Sequence, residues 1–400
     1  MLEKKDELFA VPGFLANGIA CGIKEDGKKD LALIYSERSA KAAGLFTTNI
    51  FKAAPVILDM EKIKGGMAQA ILTNSGNANA ANGSAGYDDA VAMSRSAAKQ
   101  LRIPETLVLA ASTGVIGRRL PVHKIEAGMA SLVAGLNAGG IPAAEEAMMT
   151  TDKFPKMSVR RGVCGSKEIT VCGLAKGAGM IEPHMATLLT YVLTDAEVES
   201  QTLNRIFRYA VGKSFNAISV DGCMSTNDTA IILANGRAGN TPIKGRSKDA
   251  VIFRDMVTAV MSDLSQDMVR DGEGATKVVE IVVEEAKTAG DAKKVAYAVA
   301  NSNLVKTAFF GGDPNWGRII QAAGAVGIPL PVDSVGVYFD GIAVFENGRG
   351  VYGHEKTVAE VMKKANIRLT IKLGMGAKTF RLHASDLSFE YVEINAHYTT

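Results

Sequence analysis

Apolar positions along this chain follow two rhythms. In the first half, short apolar runs at Leu31 to Tyr35, Gln69 to Thr73 and Leu107 to Ala111 each lead into sequence rich in Gly, Asn or Ser, which predicts strands that end in loops. Between and after them the spacing lengthens. Ile125, Met129, Leu132, Val133 and Leu136 fall on one face of a helix, as do Leu203, Ile206, Phe207, Ala210 and Val211, and Val251 to Val269 predicts a longer amphipathic helix. Toward the C-terminus the period shortens to two. Val335 to Val344, turning at Asp340-Gly341, predicts a hairpin, and IRLTIKL (Ile367 to Leu373) and the run Phe380 to Ile394 predict further antiparallel strands. The expected fold is α/β (α+β), with layered sheets and helices, and no repeat or Pro-rich linker divides it.

Composition sharpens this picture. The 400 residues are 47% hydrophobic, enough for one large or two ordinary domains, and 41 glycines with only 6% aromatics suit closely packed layers. A balance of 45 basic against 42 acidic residues leaves a net charge of +3, which excludes the basic footprint of a nucleic-acid or anionic-membrane binder. A small-molecule partner is expected instead. The opening MLEKKDELFAVPGFLANGIA mixes charges and breaks at Pro12-Gly13, unlike a signal peptide or a membrane span, so a cytoplasmic enzyme or binding protein is expected. Cys21, Cys164, Cys172 and Cys223 form no C-x-x-C and read as incidental thiols of a reducing compartment. The five histidines are scattered, and no metal site or cofactor is predicted.

Candidate chemistry lies in loops dense in small polar residues: NSGNANA (Asn74 to Ala80), STGVIG (Ser112 to Gly117), SVDGCMSTNDT (Ser219 to Thr229), GEGATK (Gly272 to Lys277) and GGDPNWGR (Gly311 to Arg318). STGVIG follows a predicted strand, where a Gly-containing turn aims N–H groups at an oxyanion or simply carries the chain into the next helix. GEGATK lacks the full spacing of a phosphate loop, and no G-x-S-x-G elbow accompanies Glu182 and His184. The segment KGAGMIEPHMATLL (Lys176 to Leu189) is more specific. Its Thr187 stands just before an apolar strand-like run, and a threonine becomes a good nucleophile when its own α-amine is the base. That amine exists only if the chain is cut between Ala186 and Thr187.

With these motifs the chain resembles the ornithine acetyltransferase family of arginine biosynthesis along nearly its whole length. VPGF, FTTN (Phe46 to Asn49), NSGNANA, STGVIG, MTTD (Met149 to Asp152), KGAGMIEPHMATLL, STNDT, GEGATK, DPNWGR and the terminal INAHYTT occur in the family's order. The resemblance implies self-cleavage into an α chain, 1–186, and a β chain, 187–400, which stay associated as one α/β unit of N-terminal-nucleophile-like chemistry with its own topology. It further implies an oxyanion hole at Thr113 and Gly114, and substrate contacts at Thr150 or Thr151, Lys176, Thr187, Glu273, Asn395 and Thr400. The implied reaction moves acetyl from N-acetylornithine to glutamate, with acetyl-CoA as a second candidate donor. The implied assembly is a heterotetramer of two α and two β chains.

Residue chemistry agrees with these roles. A lysine at 176 suits a carboxylate and a glutamate at 273 an ammonium, while Asn395 and Thr400 can close a pocket from the tail. Two alternatives use the same sequence: an N-terminal-nucleophile amidase or aminopeptidase in which water takes the acyl group, and a non-catalytic metabolite-binding protein. Ala81-Asn82, Cys223, Leu189 and Asn303 depart from the family's pattern and bear on acyl-donor preference.

Overall fold

The computed structural model describes residues 9–182 and 188–397. Pro183, His184, Met185, Ala186 and Thr187, and the terminal Tyr398, Thr399 and Thr400, therefore lie outside the described residues. Two sheets organise the rest. The first contains β1 (Phe14–Ile19), β2 (Leu31–Phe46), β3 (Met67–Asn77), β4 (Val108–Val115), β5 (Lys156–Cys164), β6 (Lys167–Lys176), β7 (Leu189–Thr194) and β9 (Thr229–Ala234). The second contains β8 (Ile218–Ser219), β10 (Val278–Ala286), β11 (Gly336–Phe339), β12 (Ile342–Glu346), β13 (Arg349–Gly350), β14 (Asn366–Lys372) and β15 (Lys378–Ser385). Eleven α-helices accompany them among the described residues: α1 (Ala54–Lys62), α2 (Gly83–Leu101), α3 (Val122–Ala134), α4 (Ile141–Met148), α5 (Ser200–Lys213), α6 (Lys248–Arg270), α7 (Ala289–Ala300), α8 (Asn303–Gly311), α9 (Trp316–Gly324), α10 (Glu355–Met362) and α11 (Phe389–His397).

The first sheet runs in the order β4-β3-β2-β9-β7-β6-β5, with β1 added on β2. It is buried on both faces, so its central strands are continuously apolar rather than alternating: every residue of LTYVLT in β7 and TAIILA in β9 is buried. On one face α1, α2 and α3 cover Leu31, Leu33, Leu72 and Val108, while α5 and α6 cover Val171, Val192 and Ile232. On the other face α4 packs Ile141, Ala144 and Met148 against Ile34, Ile71 and Tyr191. Strands β7 and β9, which follow residue 187, lie between β2 and β6, which precede it.

The second sheet is one-sided. Ile367, Leu369 and Ile371 alternate with polar residues along β14 and bury their side chains in a core that includes α7, α9 and α10. IRLTIKL is a strand as predicted, though it pairs antiparallel with β11 and parallel with β10. The hairpin turns at Asp340-Gly341 as expected. Helices α3, α5 and α6 stand where the apolar spacing put them.

Two expectations are corrected. The run Phe380 to Ile394 is not all strand: β15 ends at Ser385, Asp386 turns to accept the Thr276 and Lys277 N–H groups, and Ser388 accepts the Tyr391 N–H in the first turn of α11. STGVIG is not a turn after a strand. Strand β4 extends through Val115, so Thr113 and Gly114 lie within it, opposite Ser75 and Gly76 of β3 in parallel register.

Candidate active site

A small cavity of about 130 Å³ opens where the C-terminal ends of β4 and β6 meet the loop 221–227, the turn at Glu273 and helix α11. Thr113, Gly114, Thr150, Thr151, Lys176, Glu273 and Asn395 all line it. Every sequence-predicted substrate or oxyanion residue within the described part of the chain is thus brought together. Ala186, Thr187 and Thr400 lie outside it. Leu189 sits directly opposite Lys176 in the β6–β7 ladder.

The strand pair β3–β4 holds Thr113 and Gly114. Ser112 Oγ donates to Asn74 Oδ1 at 2.6 Å, and Asn227 Nδ2 donates to both Ala78 O (2.6 Å) and Ser112 O (2.7 Å). Gly114 has φ +131°, and a Cβ there would come within 2.4 Å of the Gly76 carbonyl carbon. Only glycine gives both the torsion and the approach of the two backbones.

Lys176, only 2% exposed, donates to Thr113 Oγ1 at 3.2 Å and to Thr150 Oγ1 at 2.7 Å. Between the two candidate threonines of MTTD, Thr150 is the one bonded to the lysine, and Thr151 lines the cavity beside it. Burial pushes the Lys176 ammonium below the ordinary lysine range, against the pull of Asp152 at 3.9 Å. Asp152 anchors the corner. It accepts from Gly177 N (2.6 Å), Thr150 N (2.9 Å) and Lys156 Nζ (2.7 Å), and Lys156 also binds Asp271 at 2.5 Å. Burial alone would raise Asp152, yet Lys176 and Lys156 outweigh it and hold the carboxyl well below the usual carboxylate range. Desolvation likewise opposes the charge of Lys156, and its two aspartates overcome it. The site lysine therefore rests on a buried, alternating set of charges.

The opposite wall is acidic. Glu273 accepts from Asn395 Nδ2 at 2.8 Å, and its carboxylate lies over Gly179 so closely that a Cβ there would be 2.5 Å away. Tyr391 of α11 reaches Asp221 Oδ2 at 3.4 Å. Sequence reasoning assigned nothing to Asp152, Asp221, Asn227 or Tyr391. Asp152 was visible as the end of MTTD, and Asp221 and Asn227 as members of a polar loop, but their partners are remote in sequence. Cys223 is exposed and lines the cavity, and desolvation together with the Asp221 charge holds its thiol above the ordinary range, which disfavours the thiolate. Among the described residues no group of His, Cys, Asp and Glu could hold a metal ion, and no helix is long and apolar enough to cross a membrane. A larger open cleft of about 830 Å³ lies between α5, α6 and the polar face of the second sheet, but none of the predicted site residues lines it.

A hydroxyl and a glycine peptide on a rigid strand pair, with a buried lysine on one side and a carboxylate on the other, suit acyl transfer between amino-acid-sized molecules. A profile described as the ArgJ family matches residues 15–400. The arginine biosynthesis bifunctional protein ArgJ of Geobacter sulfurreducens is 47% identical over 391 residues, 98% of this chain and 100% of that protein. Its namesake in Caldanaerobacter subterraneus is 48% identical over 405 residues, with 100% of both chains covered. A crystal structure of the Bacillus halodurans ArgJ superimposes with a TM-score of 0.50 at 33% identity, covering 52% of this chain and 98% of that one. The chain belongs to the ArgJ family of arginine-biosynthesis acyltransferases.

Proposed function

We propose that the chain cleaves itself between Ala186 and Thr187 and then moves acetyl from N-acetylornithine to glutamate through an ester on Thr187. The observation that carries this reading is the convergence of Thr113, Gly114, Lys176, Glu273 and Asn395 on one cavity, with the strand that follows Thr187 paired to Lys176. Thr187 Oγ attacks the acetyl carbonyl, the Thr187 α-amine takes its proton and passes it to the amide nitrogen, and that nitrogen leaves as the neutral α-amine of ornithine. Glutamate then attacks the ester with its α-amine, and the proton returns to Thr187 Oγ. Because Lys176 donates to Thr113 Oγ1, the Thr113 hydroxyl hydrogen is free to point at the oxyanion, beside the Gly114 N–H. Lys176 and Thr150 face the substrate carboxylate, Glu273 and Asn395 its ammonium, and Thr151 lines the wall beside them, while the contact the family resemblance implies for Thr400 lies outside the described residues.

Division into chains 1–186 and 187–400 is supported by the Bacillus halodurans chain, which is matched almost completely by about half of this one. The relatives' designation as bifunctional supports acetyl-CoA as a second donor to the same threonine. The mature unit on this reading is a heterotetramer of two α and two β chains. Mass spectrometry of the purified protein should show a fragment beginning at Thr187, and a Thr187→Ala chain should stay whole. Incubation with N-acetylornithine without glutamate should leave an acetyl group on Thr187. An intact wild-type chain with full activity, or ternary-complex kinetics with no adduct, would sink the proposal, and acetyl release to water at an undiminished rate without glutamate would favour the amidase.

A further inference from the structure

The loop from Ser219 to Thr229 touches the chain on both sides of residues 183–187. On the near side, Asp221 Oδ2 accepts from Met180 N at 2.6 Å and Oδ1 from Ile181 N at 2.9 Å, while Val220 N donates to Ile181 O at 2.9 Å. On the far side, Asp228 Oδ1 accepts from Leu188 N at 3.0 Å and Thr229 N donates to Leu188 O at 3.0 Å. Met180 is held with φ +57°, a left-handed torsion that a side chain adopts only against a cost. The same loop is tied to the oxyanion strands through Asn227 and to the FTTN turn through Thr47 Oγ1, which donates to Ser225 O at 2.8 Å.

We infer that Asp221 and Asp228 are positioning residues for cleavage and acetyl transfer, gripping the two chain ends that flank residues 183–187 and registering them against Thr113 and Gly114. The inference rests on the cleavage reading above. Neither aspartate needs to touch substrate. Each supplies carboxyl acceptors to backbone N–H groups flanking residues 183–187, so side chains add to the few backbone bonds, Val220 N to Ile181 O and Thr229 N to Leu188 O, that hold these stretches. Asp228 is fully buried, and its Oδ2 has no hydrogen-bond partner among the described residues. A purely structural acceptor for one N–H would not call for a second, buried carboxyl oxygen, since an amide would serve. Burial raises both carboxyls above the ordinary range.

The test uses the full chain with Asp221→Asn and Asp228→Asn, whose near-isosteric side chains preserve volume. Processing is followed by mass spectrometry from the unprocessed precursor, folding by thermal melting and near-UV circular dichroism, and turnover on the cut fraction. Cleavage slowed about tenfold, the upper end of what losing one buried acceptor costs, with kcat lowered and both KM values within twofold, supports the grip. Either variant cutting and turning over at wild-type rates overturns it. Loss of cooperative melting in both variants also overturns it, assigning the aspartates to folding. A wild-type chain that never cuts would instead sink the cleavage reading itself, which separates the two failures.

Discussion

Adding one methyl group at Gly179 should disable the pocket while leaving the fold in place. The alanine Cβ would lie 2.5 Å from both Cδ and Oε2 of Glu273 and 2.6 Å from Oε1, whereas ordinary contacts of this kind are about 3.5–4.0 Å. The obstacle is the end of a side chain rather than backbone, so Glu273 yields by about 1 Å and abandons its 2.8 Å bond from Asn395. Relief of this kind keeps the stability loss near the low end of overpacking, about 1 kcal/mol, or a few degrees in Tm. Activity is less forgiving. A misplacement of about 1 Å in a positioning group costs up to about 10²-fold, or about 2.7 kcal/mol of transition-state stabilisation. Initial rates of acetyl transfer with glutamate and N-acetylornithine varied in turn, on material shown by mass spectrometry to be cut, measure this directly. A processed Gly179→Ala enzyme with wild-type kcat/KM for both amino acids would show that Glu273 does not hold the substrate.

Thr113→Ala, assayed as cut protein, should lower kcat by roughly 10²–10³ with little change in KM, and normal turnover would leave only the Gly114 N–H in the oxyanion role. Lys156→Met leaves Asp152 and Asp271 buried without their shared ammonium and should cost about 3–5 kcal/mol in urea unfolding; a loss under about 1 kcal/mol would refute the charge balance drawn beneath Lys176. Burial pushes Glu145 up to about 8, so between the ordinary glutamate range and that value the folded chain holds a proton that the unfolded chain has released. Stability should therefore fall as pH rises through this window, and Glu145→Gln should flatten the fall; an unchanged slope in urea titrations across it would contradict the assignment.

Much of this was legible from pattern. The one-sided second sheet announces itself through alternation at Ile367, Leu369 and Ile371, because one face remains polar. The first sheet is harder to read. Strand β2 runs for 16 residues, yet its middle, Glu37 to Ser39, is exposed and polar, and its register with β3 shifts between Tyr35 and Ala40, so only the apolar start stood out. Thr113 and Gly114 looked like a turn because a glycine follows in a run of small polar residues; its place in the strand is explained by the close β3–β4 approach, which no local window contains. Helix α11 was hidden behind β-prone residues and is set by Ser388 and by Tyr391 turning inward to Asp221. The site residues found from sequence came from family motifs, whereas the buried acids that hold them, Asp152 above all, depend on partners far away in the chain.

The insertion of β7 and β9 between β2 and β6 has a consequence for how the protein ages. A single uncut chain can unfold and refold as a unimolecular event, indifferent to its own concentration. If the bond before Thr187 is cut as proposed, recovery requires two chains to meet, and the first must wait with the ladder edges of β2 and β6 unsatisfied, an invitation to pair with the wrong neighbour. Cutting as proposed would then act as a ratchet: the uncut chain could refold on its own, while the persistence of the cut enzyme would be governed by how rarely it opens.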